Sequence, residues 1–206
     1  MKKLSKCKKI FIVFILIILS ICGFWFFRSN LKKYVTNYVH GIVEANVVNV
    51  LNNSSTDAIN KYKEVAENFI TLDINKDKEV KVLNINMLYI NCLQRDVASL
   101  SLEYLIEYCD SHEITIPSGV VIGGMIFAGR GKEIKIKLIP IGATDVQYKT
   151  SFESVGVNST RFSLYIDVVA HCRINVPFYV EDVTSSTSIL VVETIIQGEV
   201  PPYIMS

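Results

Sequence analysis

A run of apolar side chains lies near the start of the chain. Residues 10–27 read IFIVFILIILSICGFWFF and include no charged residue. A helix of this length spans about 27 Å, close to the hydrocarbon thickness of a bilayer, about 30 Å. A cleaved signal peptide would place small residues after the apolar run, whereas aromatic residues occupy positions 24–27. The pattern predicts an uncleaved transmembrane helix over residues 10–27, whose partner is the lipid bilayer.

The next hydrophobic positions repeat with a helical period. Residues 28–54 carry apolar side chains about 3.6 positions apart, which predicts an amphipathic stalk helix ending at the polar residues 52–55. A second helix is predicted over residues 58–70, and a third over residues 92–112.

A period of two, which is typical of half-buried strands, dominates the rest of the chain. The clearest example is residues 162–176, where every even position is apolar and the odd positions include Asp167 and Arg173. The same reasoning predicts shorter strands at residues 79–83, 86–90, 134–138, 146–152, 178–183 and 188–196.

Helices early in the chain and strands later predict an α+β fold, with a mainly antiparallel sheet at the C-terminal end. The expected layout is a cytoplasmic basic tail (residues 1–9), a transmembrane helix (10–27), an amphipathic stalk helix (28–54) and an extracytoplasmic α+β domain (55–206).

Charge is distributed unevenly along the 206 residues. Five of the 21 Lys and Arg precede residue 28, so 16 remain against all 20 Asp and Glu, a net charge of −4 for the rest of the chain. The lysine-rich N-terminal flank predicts a cytoplasmic N-terminus and places the folded part outside the cytoplasm. A mildly acidic domain lacks the basic surface that phosphate backbones require, so no nucleic-acid partner is expected.

Candidate metal and thiol sites are weak. Residues 73–77 begin like a calcium-binding loop, but Lys78 and Asn84 replace the glycine and glutamate that it needs, so a polar turn is predicted. The three cysteines beyond the apolar run, Cys92, Cys109 and Cys172, cannot form a closed set of disulfides and are predicted to be core residues.

Catalytic signals are equally weak. The histidines show no spacing of a ligand pair on one element. Glu103 and Glu107 share a helix face, as paired carboxylates should, but any solvated helix face shows the same pattern. We therefore expect no catalytic residue, metal or cofactor, and no enzymatic activity.

Glycine, asparagine and arginine instead concentrate where strands should begin or end. Gly156 and Asn158 suit a turn with positive φ. Arg130 and Arg161 could cap carbonyl groups, pair with Glu153 or bind a partner's carboxylate. Turns held by arginine are the favoured interpretation, under which Arg161→Ala harms folding more than any specific activity.

Several such motifs follow one another in the C-terminal half. They are Ile116-Pro117-Ser118-Gly119, Ala128-Gly129-Arg130-Gly131, Pro140-Ile141-Gly142, FESVGVNSTR at residues 152–161, Glu193-Thr194 and Gly198-Glu199-Val200-Pro201.

With these motifs, residues 116–203 resemble the YunB family of sporulation proteins from endospore-forming Firmicutes. Lys132, Phe162, Leu190 and Val192 depart from the family pattern, and none of these changes removes a turn glycine or Arg161.

The resemblance implies a protein made during endospore formation, in the mother cell, with its domain between the two membranes around the forespore. It offers no catalytic residues to transfer. The family-motif residues of unknown role are Gly129, Arg130, Gly131, Glu153, Ser154, Gly156, Asn158, Thr160, Arg161 and Glu193.

We therefore expect a single-pass membrane protein whose non-catalytic domain serves assembly or interaction with other sporulation envelope proteins, and homo-oligomerisation stays open. The alternative is a membrane-anchored module that binds lipid or a cell-wall precursor in a groove between sheet and helices. An envelope enzyme ranks third.

Overall fold

A computed structural model of the protein describes residues 6–74, 80–119, 130–156 and 158–197. The helical part consists of α1 (Lys6–Tyr34), a π-helical turn (Val35–Val39), α2 (His40–Asn60), a 3-10 helix (Lys63–Phe69) and α3 (Met87–Ser111). The strands are β1 (Ile70–Ile74), β2 (Val80–Ile85), β3 (Ile114–Pro117), β4 (Glu133–Pro140), β5 (Asp145–Gly156), β6 (Ser159–Val176) and β7 (Tyr179–Gln197).

The C-terminal strands form an antiparallel sheet around β6. Its order is β3-β4-β6-β5, and β7 also pairs with β6. The register between β5 and β6 runs from Asp145 opposite Val169 to Gly156 opposite Ser159. Strands β1 and β2 form a separate antiparallel pair. The predicted α+β class is confirmed.

Strand β6 has the alternation that the sequence predicts. All eight even positions from Phe162 to Val176 are buried, with exposed fractions of 3% or less. The polar side chains of His171, Arg173 and Asn175 alternate with them and are exposed. Burial of one complete face fixes the register of this strand, because a slip by one residue would expose every apolar side chain.

A π-helical turn interrupts the first long helix and realigns its row of buried apolar side chains. Leu31, Val35, Val39 and Val43 lie four residues apart, and all are buried. Four residues of α-helix turn through more than a full circle, so such a stripe drifts by about 40° at each step. The turn at Val35–Val39 is closed by the His40 N–H donating to the Val35 carbonyl. Its wider winding shifts the stripe back toward its starting direction.

One helical stretch is long and apolar enough to cross a membrane. It covers Lys8–Asn60 and contains an 18-residue window with a mean hydropathy of 3.0, none of which is buried. The side chains of residues 10–26 are accordingly exposed along the whole run.

The predicted end of the stalk helix at residues 52–55 is wrong, because α2 continues to Asn60. The hydroxyl of Ser54 donates to the Leu51 carbonyl (3.0 Å) and shares a hydrogen bond of 2.8 Å with the Ser101 hydroxyl. That of Thr56 donates to the Asn52 carbonyl. Hydroxyl groups satisfied in this way do not break a helix.

The predicted second helix at residues 58–70 is also wrong in its extent. Residues 58–60 belong to α2, and the rest is a turn and the 3-10 helix. The N–H groups of Lys61 and Tyr62 donate to carbonyls three residues back, which tightens the chain as α2 ends.

The strand predicted at residues 86–90 is helical, and the third helix begins earlier than residue 92. The side chain of Asn86 accepts a hydrogen bond from the Leu88 N–H (3.2 Å) and caps α3, which starts at Met87. The expected strand at 79–83 corresponds to β2. The polar turn predicted after Asp73 lies largely at residues 75–79, outside the described residues.

The strands predicted at residues 178–183 and 188–196 form the single strand β7. The polar stretch between them was expected to interrupt the strand, but Ser185 is buried and the Thr187 hydroxyl donates to Asn52 Oδ1 (2.7 Å). The remaining predictions, at residues 134–138, 146–152 and 162–176, lie within β4, β5 and β6.

The described residues divide into two compact units. The first holds residues 6–43, 113–119, 130–138 and 174–181, and its core includes Leu31, Val35, Val39 and Ile136. The second holds residues 44–74, 80–112, 139–156, 158–173 and 182–197. Its core includes Leu51, Phe69, Leu93, Leu105, Phe162 and Ile166.

Candidate functional site

The longest motif, residues 152–161, forms the end of β5, the turn and the start of β6 in the second unit. Glu153 lies opposite Arg161, Ser154 opposite Thr160 and Gly156 opposite Ser159, with a register shift between Ser154 and Gly156. The Ser154 hydroxyl donates to the Gly156 carbonyl (3.3 Å). The motif residues are therefore brought together by one hairpin.

A third strand adds a second carboxylate. Arg161 Nη1 lies 3.6 Å from Glu153 Oε2, and Arg161 Nε lies 3.8 Å from Glu193 Oε1. The Ser163 hydroxyl donates to Glu193 Oε2 at 3.5 Å. We call Glu153, Arg161, Ser163 and Glu193 the arginine cluster. The structure thus places three predicted motif residues together, and pairing of Arg161 with Glu153 is confirmed.

The alternation of buried and exposed side chains changes along β7 before Glu193 is reached. Near the start of this strand the odd positions Val183 and Ser185 are buried, whereas near its end the even positions Val192 and Thr194 are half-buried and Glu193 is exposed. The outward-facing positions thus change parity, which places Glu193 on the face that carries Arg161.

The arginine cluster has unfilled donors. Its ion pairs are longer than good hydrogen bonds, and the side chains of Arg161, Glu153 and Glu193 are 39%, 67% and 41% exposed. Arg161 Nε is nevertheless buried without a hydrogen-bond partner among the described residues, and so is Asn158 Nδ2. Both atoms are donors, and both are shielded from solvent. The Arg161 side chain as a whole is partly exposed, so a carboxylate or carbonyl oxygen from outside can approach its guanidinium.

Strand β5, which carries Glu153, is the last strand in the order of the sheet as described. Near its beginning, Gln94 Nε2 donates to the Val146 carbonyl (3.2 Å). From Gln147 onward its side chains are exposed apart from half-buried Thr150. Three are large and apolar: Tyr148, Phe152 and Val155, with exposed fractions of 41%, 62% and 40%. The Phe152 ring packs on Phe162, with centroids 5.0 Å apart.

The other glycine–arginine motif lies in the first unit. Gly131 has φ +101, and a Cβ at this position would collide with the Ser118 hydroxyl. The Gly119 N–H donates to the Arg130 carbonyl (2.8 Å), and the Arg130 side chain is exposed. Gly129 lies outside the described residues.

Positive φ also occurs at Gly142, in the short connection between β4 and β5. Gly156, for which positive φ was predicted, does not have it, because the hairpin accommodates its turn through the register shift in the ladder. The turn conformation of Asn158 stays a prediction.

The cysteine prediction is confirmed for Cys172, which is buried on the inner face of β6, while Cys92 and Cys109 are half-buried. All three are free thiols. A hydrogen bond with Cys109, together with burial, raises the pKa of Cys172. This contact between α3 and β6 was not predicted.

Exposed ionisable groups on β6 pair with β7. His171 Nδ1 lies 3.0 Å from the Thr184 hydroxyl. Arg173 donates two hydrogen bonds to Asp182, of 2.7 and 3.0 Å, and lowers the pKa of that carboxyl. Within the described part of the chain, no three His, Cys, Asp or Glu side chains are grouped so that they could hold a metal ion.

Sequence reasoning missed the tip of the β6–β7 hairpin. Phe178 has φ 68, an unusual conformation for a bulky residue, and is 61% exposed. The signal was present in the sequence, because Pro177-Phe178 interrupts an otherwise regular alternation.

Residues 113–203 match the model of the family described as sporulation protein YunB (Spo_YunB). This segment, hereafter the YunB segment, is similar to the YunB family. The YunB segment includes β3 to β7, and therefore the arginine cluster and the exposed edge of β5, whereas the three α-helices precede it. No curated protein matches the chain, and no solved structure matches it either.

Proposed function

We propose that this chain is a single-pass membrane protein of sporulation whose C-terminal domain lies outside the cytoplasm and assembles with other envelope proteins around the forespore. The YunB segment supports the role in sporulation. The apolar helix supports the membrane anchor. The five lysines before residue 10 favour a cytoplasmic N-terminus. The role is non-catalytic, in keeping with a family that is not known as enzymatic.

The observation that carries the assembly role is the position of β5, which ends the sheet order within the described residues and exposes large apolar side chains. A strand edge with unpaired backbone groups is a template for another strand, and proteins that do not use such an edge protect it with charge, proline or a covering loop. Strand β5 carries the exposed charges of Lys149 and Glu153, but it also exposes the apolar side chains of Phe152 and Val155. An extended segment of an envelope protein would pair with this edge through its backbone, by strand addition.

Arg161 of the arginine cluster lies on the same β5–β6 hairpin and supplies selectivity. The Arg161 guanidinium has donors that its two distant carboxylates leave unfilled. A partner that brings a carboxylate or a carbonyl oxygen to the exposed part of the Arg161 guanidinium gains hydrogen bonds that a generic apolar segment lacks.

The second candidate, a module that binds lipid or a cell-wall precursor, draws support from a recess beside α1 lined by Trp25, Arg28 and Tyr179. That recess lies against the apolar helix α1. The sequence instead predicts such a binding site in a groove between sheet and helices.

The first experiment follows the full chain, tagged at its C-terminus, through growth and sporulation of the native host. Fluorescence enriched around the forespore, with a full-length band on an immunoblot, is the expected result. Uniform membrane signal during vegetative growth would contradict the sporulation role and promote the second candidate.

A second experiment tests the β5 edge by replacing Phe152 with a photo-crosslinking phenylalanine analogue in the sporulating cell. We expect a cross-linked species of higher mass, whose formation is suppressed by Val155→Thr. The matched control carries the analogue at Leu190, a similarly exposed apolar position on β7. Equal cross-linking at both positions, or none at Phe152 in cells with correct localisation, would refute docking at the β5 edge.

A further inference from the structure

A recess of about 420 Å³ lies against α1 just beyond the apolar run. Trp25, Arg28, Ser29 and Lys32 line it from one helix face, since they are spaced three, four and seven residues from the first. Tyr179, at the start of β7, closes the other side. All five residues belong to the first unit.

Contact between two phenylalanines next to this recess indicates its level relative to the membrane. The Phe178 ring at the β6–β7 hairpin tip lies edge-on to the Phe24 ring, with centroids 5.2 Å apart and planes at 82°. Phe24 belongs to the apolar run, and Arg28 is the first charged residue after it. In a chain that spans the bilayer, the Phe178 tip therefore reaches the membrane boundary, where aromatic rings are favoured. Arg28 and Lys32 then lie at headgroup level.

The charge of the recess is uncompensated. Among the described residues, neither Arg28 nor Lys32 forms an ion pair. Lys32 Nζ lies 6.0 Å from the centre of the Tyr179 ring, within reach of a cation–π interaction that orients it.

The nearby carboxylate of Glu181 is already engaged. It accepts hydrogen bonds from the hydroxyls of Thr36 (3.1 Å) and Tyr179 (3.3 Å), and it lies 3.1 Å from His40 Nδ1. These contacts position the wall of the recess and leave its two cations available to a ligand.

We propose that this recess binds the phosphate of an anionic phospholipid headgroup, with Arg28 and Lys32 as the charged donors and Ser29 as a neutral one. Guanidinium and ammonium groups are the usual phosphate partners in proteins. This inference rests on the membrane-spanning part of the proposed function, and it is independent of the β5 edge.

The adjoining apolar face of α1 points to a lipid as the source of the phosphate. Its exposed side chains are Ile21, Cys22 and Phe26, and it continues into the charged recess through Trp25 and Ser29. It lies on the membrane side of Arg28, so an acyl chain can follow the helix while its phosphate contacts the cations. A soluble anion would use only the charged recess.

The test uses the emission of Trp25, which is the single tryptophan of the chain. The full-length protein in a neutral detergent is titrated with short-chain phosphatidylglycerol, short-chain phosphatidylcholine and inorganic phosphate. We expect saturable binding of phosphatidylglycerol. The double variant Arg28→Gln/Lys32→Gln should bind it at least roughly tenfold more weakly, the loss expected for charge-assisted contacts.

Two further variants distinguish binding at this recess from attraction of the lipid to general surface charge. Lys33→Gln removes a cation that is exposed and does not line the recess, so its affinity should stay within about twofold of the unmodified chain. Tyr179→Leu removes a wall of the recess without changing charge, and it should weaken phosphatidylglycerol binding. An affinity unaffected by Tyr179→Leu would mean that only surface charge acts and would overturn the site.

Equal affinity for the two lipids, or inorganic phosphate bound as tightly as phosphatidylglycerol, would also overturn the lipid assignment. Each of these results leaves the assembly proposal intact if the tagged chain still surrounds the forespore. Conversely, selective lipid binding by a chain that stays in vegetative membranes would support the site and refute the sporulation role.

Discussion

Phe178 combines an unfavourable backbone conformation with an exposed ring. A left-handed conformation costs a residue with a side chain about 1–2 kcal/mol, and glycine or asparagine normally takes such a position. Phe178 has φ 68 and is 61% exposed, so burial within the domain does little to offset that cost. Its ring contacts Phe24 of the apolar run, which gives the position a use outside the domain core.

Comparison of Phe178→Asn with Phe178→Ala isolates the backbone cost. Both variants lose the aromatic contact, but asparagine tolerates the left-handed region and alanine does not. We expect Phe178→Asn to be more stable than Phe178→Ala by about 1 kcal/mol in denaturant unfolding of the full chain in detergent. Equal stabilities would show that the hairpin relaxes and that φ at this position carries no strain.

Arg161 differs from a residue that locks a turn, because its ion pairs are 3.6 and 3.8 Å long and partly exposed. Pairs of this kind contribute little to stability. We expect Arg161→Ala to lower the free energy of unfolding by no more than about 1 kcal/mol, yet to abolish the cross-link formed at Phe152.

Arg173→Ala is the matched control for Arg161→Ala. It removes an arginine from the same strand that is already satisfied by Asp182, and it should leave the cross-link unchanged. A large fall in melting temperature for Arg161→Ala, with cross-linking retained, would restore the interpretation that this arginine serves folding.

At the scale of elements, the spacing of hydrophobic residues predicts the observed helices and strands better than the positions of polar side chains do. The long strand β6 was predicted from its alternation, since burial of one face depends on local spacing alone. The polar residues 52–55 predict a helix end, whereas the structure buries the Ser54 hydroxyl against Ser101 of another helix. Its partner lies 47 residues away, so no local pattern reveals it.

The buried hydrogen bond between Ser54 and Ser101 joins α2 to α3 and can be tested by a double-mutant cycle. Ser54→Ala alone leaves the Ser101 hydroxyl buried without this partner, which should cost about 1–2 kcal/mol of unfolding free energy. Ser54→Ala/Ser101→Ala should be less destabilised than the sum of the two single variants. Additive costs, measured by chemical denaturation, would show that the two hydroxyls are not coupled.

Tyr62 gives α3 a link that depends on pH. Its hydroxyl donates to Asp96 Oδ2 (2.9 Å), and burial together with this bond raises its pKa from 10.0 to about 12. The unfolded chain releases this proton at lower pH than the folded chain does. Stability from Tyr62 is therefore present below about pH 10 and is lost as pH rises toward about 12.

Alkaline unfolding curves of the unmodified chain and of Tyr62→Phe would measure this link. The stability difference between them should shrink as pH rises through that window, because phenylalanine has no proton to lose. A difference that is constant from neutral pH upward would contradict the raised pKa.

At the scale of the whole molecule, the sequence predicts the similarity to the YunB family and the α+β class, because motif order and strand alternation are readable locally. It could not predict that Glu193 reaches Arg161, since that depends on the pairing of β6 with β7 and on a change of alternation far along β7. The recess at Trp25 was equally hidden, because Tyr179 comes from a strand more than 140 residues away.

The proposed orientation predicts where a reporter fused after Ser206 will work. Alkaline phosphatase requires disulfides and is active only outside the cytoplasm, so the fusion should be active. Exchanging the five lysines before residue 10 for glutamines should reduce that activity, because the flanking charge that sets orientation would be lost. Full activity from the exchanged chain would show that the charge bias does not decide the topology.

In the proposed membrane orientation, α1 also connects the membrane rigidly to the first unit. Helix α1 runs unbroken from Lys6 to Tyr34, so it includes both the apolar run and the first residues that pack in the domain, with no flexible linker between them. A domain on a loose tether tumbles and spreads its encounters over the whole reach of that tether. In the proposed orientation, the first unit is built onto this helix and therefore keeps one side toward the bilayer. Its search for partners is then reduced to sliding within the membrane plane and spinning about the membrane normal.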